Sequence, residues 1–304
     1  MAKWTAADIP PQTGRTAVIT GTGGLGFEDA VELARAGAEV ILAGRNPDKG
    51  AAAVARIRAL VPSAIIRFEM LDLASLDSVA AFAARLSERH GSLDLLVNNA
   101  GVMVPPRREE TADGLELQFG TNHLGHFALT GLLLPLLRHG RQPRVVTLSS
   151  VAARDGAIAF DDLNAERRYR PMPAYSQSKL ACLMFALELH RRSEASGWGV
   201  ASMAAHPGIA RTDLLHNAPG RWSAMGLTRS LLWFLFQPAA QGALPTLFAA
   251  TAPDARSGGY YGPHALSEAR GYPAPARIPP QALDVGAATR LWEVSEELSG
   301  VRYG

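Results

Sequence analysis

The sequence predicts an α/β protein in which helices cover both faces of one doubly wound parallel sheet. Short runs of β-branched and apolar residues alternate, from Arg15 onward, with longer segments that have helical apolar spacing. A glycine-rich segment follows the first such run, where a doubly wound sheet would bind a ligand. No repeat or low-complexity linker divides the 304 residues, and 47% of them are hydrophobic. We therefore expect a single domain over residues 1–304 with one large core.

The predicted elements begin with a buried strand over residues 16–20 (TAVIT) and a helix over residues 28–36 that ends at Gly37. A second strand covers residues 39–43. Asn46 as the N-cap and Pro47 in the first turn then start a helix that reaches about Leu60. The first strand and the first helix therefore flank the glycine-rich segment.

The rest of the chain repeats this alternation. Its predicted elements are strands centred near Ile66, Leu96 and Val146, helices that start near Ser75 and near Thr111, the latter reaching Arg138, a strand that ends at His206, and a candidate edge strand at Tyr260 and Tyr261. Two segments, residues 151–174 and 214–236, lack a regular pattern, and the second is strongly apolar.

Composition excludes several classes of function. The net charge is only +2, and the basic residues are scattered among acidic ones, so nothing indicates nucleic-acid binding. The single cysteine, Cys182, excludes an intrachain disulfide and suggests a reducing compartment. The N-terminal residues contain no apolar run of signal-peptide length, and no later run reaches about 18 apolar residues. We expect a cytoplasmic protein without membrane contact.

Two motifs predict the chemistry. The segment TGTGGLGFEDA carries Gly21, Gly24 and Gly26 between a strand and a helix, where backbone amides at a helix N-terminus can hold a pyrophosphate. Tyr175 and Lys179 stand four residues apart in a helical pattern, so their side chains share one face. A nearby ammonium favours the phenolate form of a tyrosine, and such a pair can transfer protons at neutral pH.

In motif order and context, the chain resembles the short-chain dehydrogenase/reductase family from Gly14 to its C-terminus. The matching motifs are TGTGGLG, Asp72 in MLDLAS, the NNAG turn at residues 98–101, Asn122 in TNHLGHF, Ser150 in TLSSVA, Tyr175 with Lys179, and Pro207-Gly208 followed by Thr212. Within the family, NHLGHF, the long stretch between Ser150 and Tyr175, and HPGIARTDL most resemble the retinol-dehydrogenase-like branch. The resemblance implies a Rossmann-type fold and a nicotinamide dinucleotide cofactor.

The resemblance also implies roles for four catalytic residues. Tyr175 would be the general acid in carbonyl reduction and the base in alcohol oxidation. Lys179 would stabilise the phenolate and hold the nicotinamide ribose, and Ser150, rather than its neighbour Ser149, would hydrogen-bond the substrate oxygen. Asn122 would help to hold a water that relays protons toward Lys179.

The implied cofactor contacts are Gly21, Thr22, Gly24, Leu25, Gly26, Arg45, Asp72, Leu73, Asn99, Ala100, Gly101, Tyr175, Lys179, Pro207, Gly208 and Thr212. The glycine loop departs from the family pattern TGxxxGxG because it is one residue shorter, which must redirect its amides. The chain places Gly44 where an NAD-specific site has a carboxylate, and Arg45 follows it, which favours NADP(H). No metal is expected, since His123, His126 and His206 lack metal-ligand spacing.

We expect residues 14–210 to form the cofactor-binding and catalytic core, residues 211–240 an apolar substrate lid, and residues 241–304 a C-terminal closing segment. For the apolar residues 214–236 a subunit contact is the second interpretation, and a shallow membrane attachment, with Arg221 and Arg229 interspersed, is the third. The predicted function is NADP(H)-dependent interconversion of a hydrophobic ketone or aldehyde and its alcohol. The alternatives are a sugar-nucleotide epimerase or dehydratase and a non-catalytic dinucleotide-sensing regulator. Surplus apolar residues on two helices, among them Leu133, Leu183 and Met184, predict a homodimer or homotetramer.

Overall fold

The computed structural model describes residues 3–210 and 237–304. Its strands are β1 (Thr16–Thr20), β2 (Glu39–Gly44), β3 (Ile65–Met70), β4 (Leu95–Asn98), β5 (Arg144–Leu148), β6 (Ala201–Ala205), β7 (Tyr260–Ala265) and β8 (Arg270–Pro275). They form one sheet in the order β3-β2-β1-β4-β5-β6-β7-β8. Every neighbouring pair is parallel except β7 and β8, which form an antiparallel hairpin. The predicted α/β class is confirmed.

The helices that connect and cover these strands are α1 (Gly24–Arg35), α2 (Pro47–Leu60), α3 (Leu76–Arg89), α4 (Gly125–Arg138), α5 (Pro171–Ser196), α6 (Ala239–Thr251) and α7 (Val285–Ser299). Asn46 caps α2 through Lys49 N at 2.9 Å, as its position predicted. A six-residue π-helical turn, Phe119–Leu124, runs directly into α4. Within the described parts of the chain, none of the helices combines the length and apolar character needed to cross a bilayer.

Two predicted helix starts are wrong. Helix α1 begins at Gly24, inside the glycine motif, because glycine can adopt the turn that leads directly into the helix. The helix expected from Thr111 begins only after residue 116. The Thr111 hydroxyl accepts hydrogen bonds from Asp113 N and Leu115 N, and a bridge joins Glu110 to Glu116. These local bonds hold residues 111–116 in a turn.

The core lies on both faces of the sheet. On one face α1, α2 and α6 pack against apolar strand residues, and on the other α3, α4 and the aromatic residues near the C-terminus do so. Phe127, Trp292 and Tyr303 form a cluster in which the Trp292 and Tyr303 ring centroids are 4.4 Å apart. Helix α7 thereby packs against α4 and α5.

This packing removes part of the basis of the oligomer prediction. Leu133 and Leu183 are 0% exposed and Met184 is 1% exposed within the single chain. The chain's own elements, including α7, cover most of the apolar surplus of α4 and α5, while Leu132 and Leu187 stay partly exposed. A homodimer or homotetramer stays a prediction, with less support from these two helices.

Asp29, on α1, is a carboxyl group that is 0% exposed, and neither of its oxygens has a hydrogen-bond partner among the described residues. Burial raises its pKa well above the usual value, and the neighbouring Glu28 raises it further. A raised folded-state pKa means that stability is greatest below the unfolded-state value and falls as pH rises toward the folded-state value.

Replacing Asp29 with asparagine should therefore stabilise the protein at pH 8, because the variant removes a group that the folded state cannot readily ionise. We expect a rise in Tm of about 2 °C or more, the scale of ~1 kcal/mol in a domain of this class. The gain should shrink as pH falls toward 4. Thermal scans against pH, with the exposed Asp254→Asn as control, measure this; a pH-independent gain would contradict it.

Candidate active site

The motifs predicted from sequence meet at one edge of the sheet. Parallel strands end at the same edge, and β1, β2, β4, β5 and β6 are neighbours in the sheet. The glycine loop follows β1, Arg45 follows β2, the NNAG turn begins in β4, Ser150 follows β5, and Pro207-Gly208 follows β6. Ligands of doubly wound sheets bind at this carboxyl edge.

The glycine loop is built for close backbone approach. Gly21 and Gly24 have φ angles of 95° and 53°, which other residues adopt with strain. A Cβ on Gly26 would lie 2.6 Å from Gly21 O and 2.5 Å from Asn99 Nδ2. The N-cap residue of α1, Gly23, has no side chain to satisfy the first-turn amides. These amides and the positive end of the helix dipole suit a pyrophosphate, so the shortened loop still fits a dinucleotide.

Thr20, the last residue of β1, joins this loop to the NNAG turn. Its hydroxyl accepts hydrogen bonds from the backbone N–H groups of Asn99 and Ala100, both at 2.9 Å. The Asn99 side chain donates to Thr20 O at 2.6 Å. The two loops that would contact the cofactor are therefore fixed to each other. The sequence predicted no role for Thr20. Its hydroxyl is directed into the fold, which only the structure shows.

The Asn122 side chain joins the NNAG turn to α5. Asn122 Oδ1 accepts a hydrogen bond from Val102 N at 2.7 Å, and Nδ2 donates to Ser178 Oγ at 2.9 Å. Asn122 Nδ2 also donates to Val102 O at 3.0 Å. Both Oδ1 and Nδ2 of the Asn122 side chain are thus hydrogen-bonded within the protein. A proton relay that uses Asn122 would therefore have to use its backbone carbonyl.

That carbonyl already has two partners. His126 Nδ1 lies 2.9 Å from Asn122 O, and Cys182 Sγ lies 3.1 Å from it. Since a carbonyl only accepts, Nδ1 carries the proton and His126 Nε2 accepts from the Thr20 hydroxyl at 2.8 Å. Burial lowers the pKa of His126 to about 4, so the ring is neutral at pH 7. His126 thus connects β1 to Asn122, a role that the sequence did not predict.

Tyr175 and Lys179 lie one turn apart in α5 and are 6% and 4% exposed. Lys179 Nζ donates to Leu148 O, at the end of β5, at 3.0 Å. A Cβ on Gly101 would lie 3.6 Å from Lys179 Nζ and 3.0 Å from Asn122 Oδ1, so the lysine lies beside the NNAG turn. Glycine at position 101 leaves this space open. The helix therefore places the Lys179 ammonium beside the NNAG turn, which belongs to the predicted cofactor site.

Adjacent serines at the end of β5 have different environments. The Ser149 hydroxyl donates to Lys179 O at 2.7 Å and is 3% exposed, so it supports α5 from inside. Ser150 is partly exposed and caps the 3₁₀ helix Val151–Asp155 by accepting from Ala152 N at 3.2 Å. This difference supports Ser150 as the residue that contacts a substrate. Tyr260, 5% exposed, donates to Ser150 O at 3.4 Å and was not foreseen beside the site.

At the adenosine side, Arg45 is exposed immediately after β2. A Cβ on Gly44 would lie 2.9 Å from Thr22 Cγ2, so the shortened loop packs directly against Gly44. The Asp72 carboxylate accepts from Ala74 N at 3.0 Å and shapes the turn after β3. Leu73 is 7% exposed beneath this turn.

Pro207 and Gly208 form a turn after β6, with Gly208 at φ 64°. Gln237 holds this turn by donating from Nε2 to Pro207 O at 2.6 Å. Sequence reasoning missed Gln237 because its partner is about 30 residues away. The predicted contact Thr212 and the apolar segment 214–236 lie outside the described residues.

The arrangement combines a buried tyrosine, an adjacent ammonium and a partly exposed hydroxyl beside a phosphate-binding loop. A phenol and a hydroxyl at one edge can donate hydrogen bonds to an oxygen that gains negative charge, while the ammonium supports the phenolate.

Known proteins resemble this chain in sequence. The family model for short chain dehydrogenases matches residues 15–221. Polyprenol dehydrogenase of Mus musculus is 42% identical over 301 residues, which cover 97% of this chain and 87% of that protein. Retinol dehydrogenase 13 of Homo sapiens is 41% identical over 304 residues, covering 97% and 86%. The predicted resemblance to retinol dehydrogenases is confirmed.

Solved structures share the fold. A protein from Mycobacterium paratuberculosis without an assigned function is 40% identical, with a TM-score of 0.82 and complete coverage of both chains. The RhlG protein of Pseudomonas aeruginosa, solved as an active-site complex with NADP, is 23% identical with a TM-score of 0.65, covering 82% of this chain and 96% of its own. The chain belongs to the short-chain dehydrogenase family and is an oxidoreductase that acts on CH–OH groups with a nicotinamide dinucleotide.

Proposed function

We propose that the protein uses NADP(H) to interconvert a hydrophobic ketone or aldehyde and the corresponding alcohol. The observation that carries the proposal is the placement of Tyr175, Lys179 and Ser150 at the sheet edge that also holds the glycine loop. The relatives named retinol and polyprenol dehydrogenase support an apolar substrate. The epimerase and regulator alternatives have no comparable support, because these relatives are dehydrogenases.

In carbonyl reduction, Tyr175 Oη gives its proton to the substrate oxygen, and Ser150 Oγ donates a hydrogen bond to the same oxygen. Lys179 stabilises the phenolate that remains. Asn122 acts as a positioning residue, because its amide ties α5 to the turn that ends at Val102. The nicotinamide supplies the hydride when it is bound. Alcohol oxidation uses the same residues in reverse, with Tyr175 as the base.

Residues 211–240 are proposed as an apolar lid over the substrate, and the adjoining ranges 14–210 and 241–304 as the catalytic core and the closing segment. The lid proposal is based on the apolar sequence after the Pro207–Gly208 turn. Cytoplasmic location is likewise a proposal. It is based on Cys182, a single buried thiol of the kind that a reducing compartment preserves.

The direct test is a cofactor-consumption assay over a panel of aliphatic and aromatic ketones and aldehydes, retinal among them. We expect NADPH oxidation with apolar carbonyl compounds and little with short polar ones. Sugar nucleotides serve as the comparison class. Turnover of a sugar nucleotide without net cofactor consumption would contradict the proposal in favour of an epimerase.

Cofactor choice should depend on Arg45. Its guanidinium can form charge-assisted hydrogen bonds with a 2′-phosphate, so Arg45→Ala should raise KM for NADPH about tenfold and leave KM for NADH unchanged. Steady-state kinetics with both cofactors measure this, with the exposed Arg35→Ala on α1 as control. Wild-type preference for NADH in matched assays would show that the interpretation of Arg45 is wrong.

Conversion to NADH requires a further change at the loop. An aspartate at position 44 would place Cβ 2.9 Å from Thr22 Cγ2, so Gly44→Asp alone should disturb the loop. Thr22→Ser removes that methyl group and keeps the hydroxyl. We therefore expect the triple variant Thr22→Ser/Gly44→Asp/Arg45→Ala to prefer NADH. The double variant Gly44→Asp/Arg45→Ala, which keeps the Thr22 methyl group, should bind both cofactors weakly.

A further inference from the structure

The hairpin between β7 and β8 contains an unusual turn. Leu266, Ser267 and Glu268 have φ angles of 51°, 54° and 67°, so three consecutive residues with side chains adopt the left-handed conformation. This strained backbone conformation is maintained only where surrounding contacts fix it, and residues that adopt it cluster at functional sites. The contacts of Glu268 show which segments of the chain this turn holds in place.

The Glu268 carboxylate has three donors from three separate parts of the chain. His206 Nε2 lies 2.9 Å from Oε2, Arg154 donates from Nη2 to the same oxygen, and Arg277 N donates to Oε1 at 2.9 Å. Burial alone would raise the pKa of Glu268. The hydrogen bonds from His206 and Arg277, with the charge of Arg154, instead lower this pKa below its usual range, which indicates an ionised carboxylate at pH 7.

His206 is 0% exposed and follows β6 directly. Gly208 N donates to His206 Nδ1 at 3.2 Å, so Nδ1 carries no proton and Nε2–H donates to Glu268. A Cβ on Gly262 would lie 2.0 Å from His206 Nε2, so a glycine in β7 makes room for the ring. The carboxylate therefore fixes both the orientation and the tautomer of a histidine that holds the Pro207–Gly208 turn.

The turn also contacts the hairpin backbone. Ile209 N donates to Ala269 O at 2.8 Å, and a Cβ on Gly208 would lie 2.4 Å from the same oxygen. The left-handed residues bring Ala269 O to this position. The Pro207–Gly208 turn is thus held by an imidazole on one side and by the strained hairpin on the other.

Arg154 extends the network to the catalytic serine. It lies in the 3₁₀ helix that Ser150 caps, and its Nη1 donates to Ser267 O at 3.2 Å. Gln281 Nε2 holds this helix from the other side by donating to Arg154 O at 2.8 Å. Glu268 consequently connects the segment after Ser150 with the segment after β6.

We propose that Glu268, acting through His206, is a positioning residue that holds the Pro207–Gly208 turn in the geometry that receives the nicotinamide half of the cofactor. Through Arg154, the same carboxylate fixes the position of this turn relative to Ser150. This inference rests on the proposed function. Glu268 lies outside residues 15–221, which the family model matches, so it is a feature of this chain's C-terminal segment.

The test compares two ligands by calorimetry. NADP⁺ occupies the whole site, whereas adenosine 2′,5′-bisphosphate occupies only the adenosine half. Glu268→Ala should weaken NADP⁺ binding about tenfold, the effect of losing a hydrogen bond to a charged group, and leave the affinity for the bisphosphate unchanged. Glu268→Gln should recover part of the NADP⁺ affinity, because its amide oxygen still accepts from His206.

Glu39→Ala is the matched control. Glu39 accepts from an arginine as Glu268 does, but it lies at the amino end of β2, on the opposite edge of the sheet. Equal weakening of both ligands by Glu268→Ala, or no change in either, would overturn the inference while leaving the proposed function intact. If wild type binds the bisphosphate but neither NADP⁺ nor NAD⁺, both the proposed function and the inference are wrong.

Discussion

Replacing Tyr175 with phenylalanine should lower kcat by about a hundredfold or more on any carbonyl substrate that the wild type reduces. The variant keeps the ring, which is 6% exposed in α5, and removes only the transferable proton. Losing a positioned general acid costs about 10²–10⁴-fold in rate. Because the ring still fills its place, the affinity for NADP⁺ should stay within about twofold of wild type. Steady-state kinetics with calorimetry of cofactor binding measure both quantities.

Tyr260→Phe is the matched control for this variant. Tyr260 is a second buried tyrosine beside the site, and its hydroxyl donates to Ser150 O at 3.4 Å. Burial raises the pKa of Tyr260 above its usual value, so it is a poor source of protons. Tyr260→Phe, which removes this hydroxyl, should change kcat much less than Tyr175→Phe does. Equal activity of Tyr175→Phe and wild type would refute the mechanism.

Gly26→Ala should weaken dinucleotide binding by between about tenfold and about a hundredfold, consistent with the roughly 1–3 kcal/mol that overpacking costs. The new methyl group would lie 2.6 Å from Gly21 O and 2.5 Å from Asn99 Nδ2. Neither neighbour can yield easily, because Gly21 O belongs to the backbone and Asn99 Nδ2 is bonded to Thr20 O. Calorimetric titration with NADP⁺ measures the loss.

Gly91→Ala provides the comparison, since a Cβ at that position would have no neighbour within 4 Å. Circular dichroism should show that Gly26→Ala keeps its fold, because the change is confined to one loop. If Gly26→Ala binds NADP⁺ as tightly as wild type does, the loop is not the pyrophosphate site.

The alternation of strands and helices was predictable because it depends on local hydrophobic periodicity. The buried strands β1, β4 and β5 appeared at their predicted positions for this reason. The start of the helical segment that leads into α4 was not predictable, since the Thr111 hydroxyl accepts hydrogen bonds from backbone amides of residues 113 and 115. The hairpin strand β8 was missed because its sequence, RGYPAP, has two prolines and no alternating pattern.

The candidate site likewise contains residues that the sequence could reveal and residues that it could not. Residues within a compact motif, such as Tyr175 with Lys179, could be found from their spacing. Thr20, Gln237 and Glu268 could not, because each acts through a partner far away in sequence. His126 was visible in the motif, but its function depends on the Thr20 hydroxyl, which the sequence places 106 positions earlier. Spacing alone cannot reveal contacts that only the sheet order creates.

The aromatic cluster at Tyr303 has a consequence for the order of folding. Tyr303 Oη donates to Phe127 O at 2.6 Å across 176 positions of the chain, whereas β1 pairs with a strand that begins only 23 positions later. Closing a long loop costs more entropy than closing a short one, so contacts between distant segments form slowly. The glycine-loop half can therefore assemble before α4 is secured by the C-terminal segment. Since α4 adjoins Asn122 and carries His126, refolding chains should become able to bind adenosine 2′,5′-bisphosphate, which occupies only the adenosine half of the site, before they become able to turn over substrate.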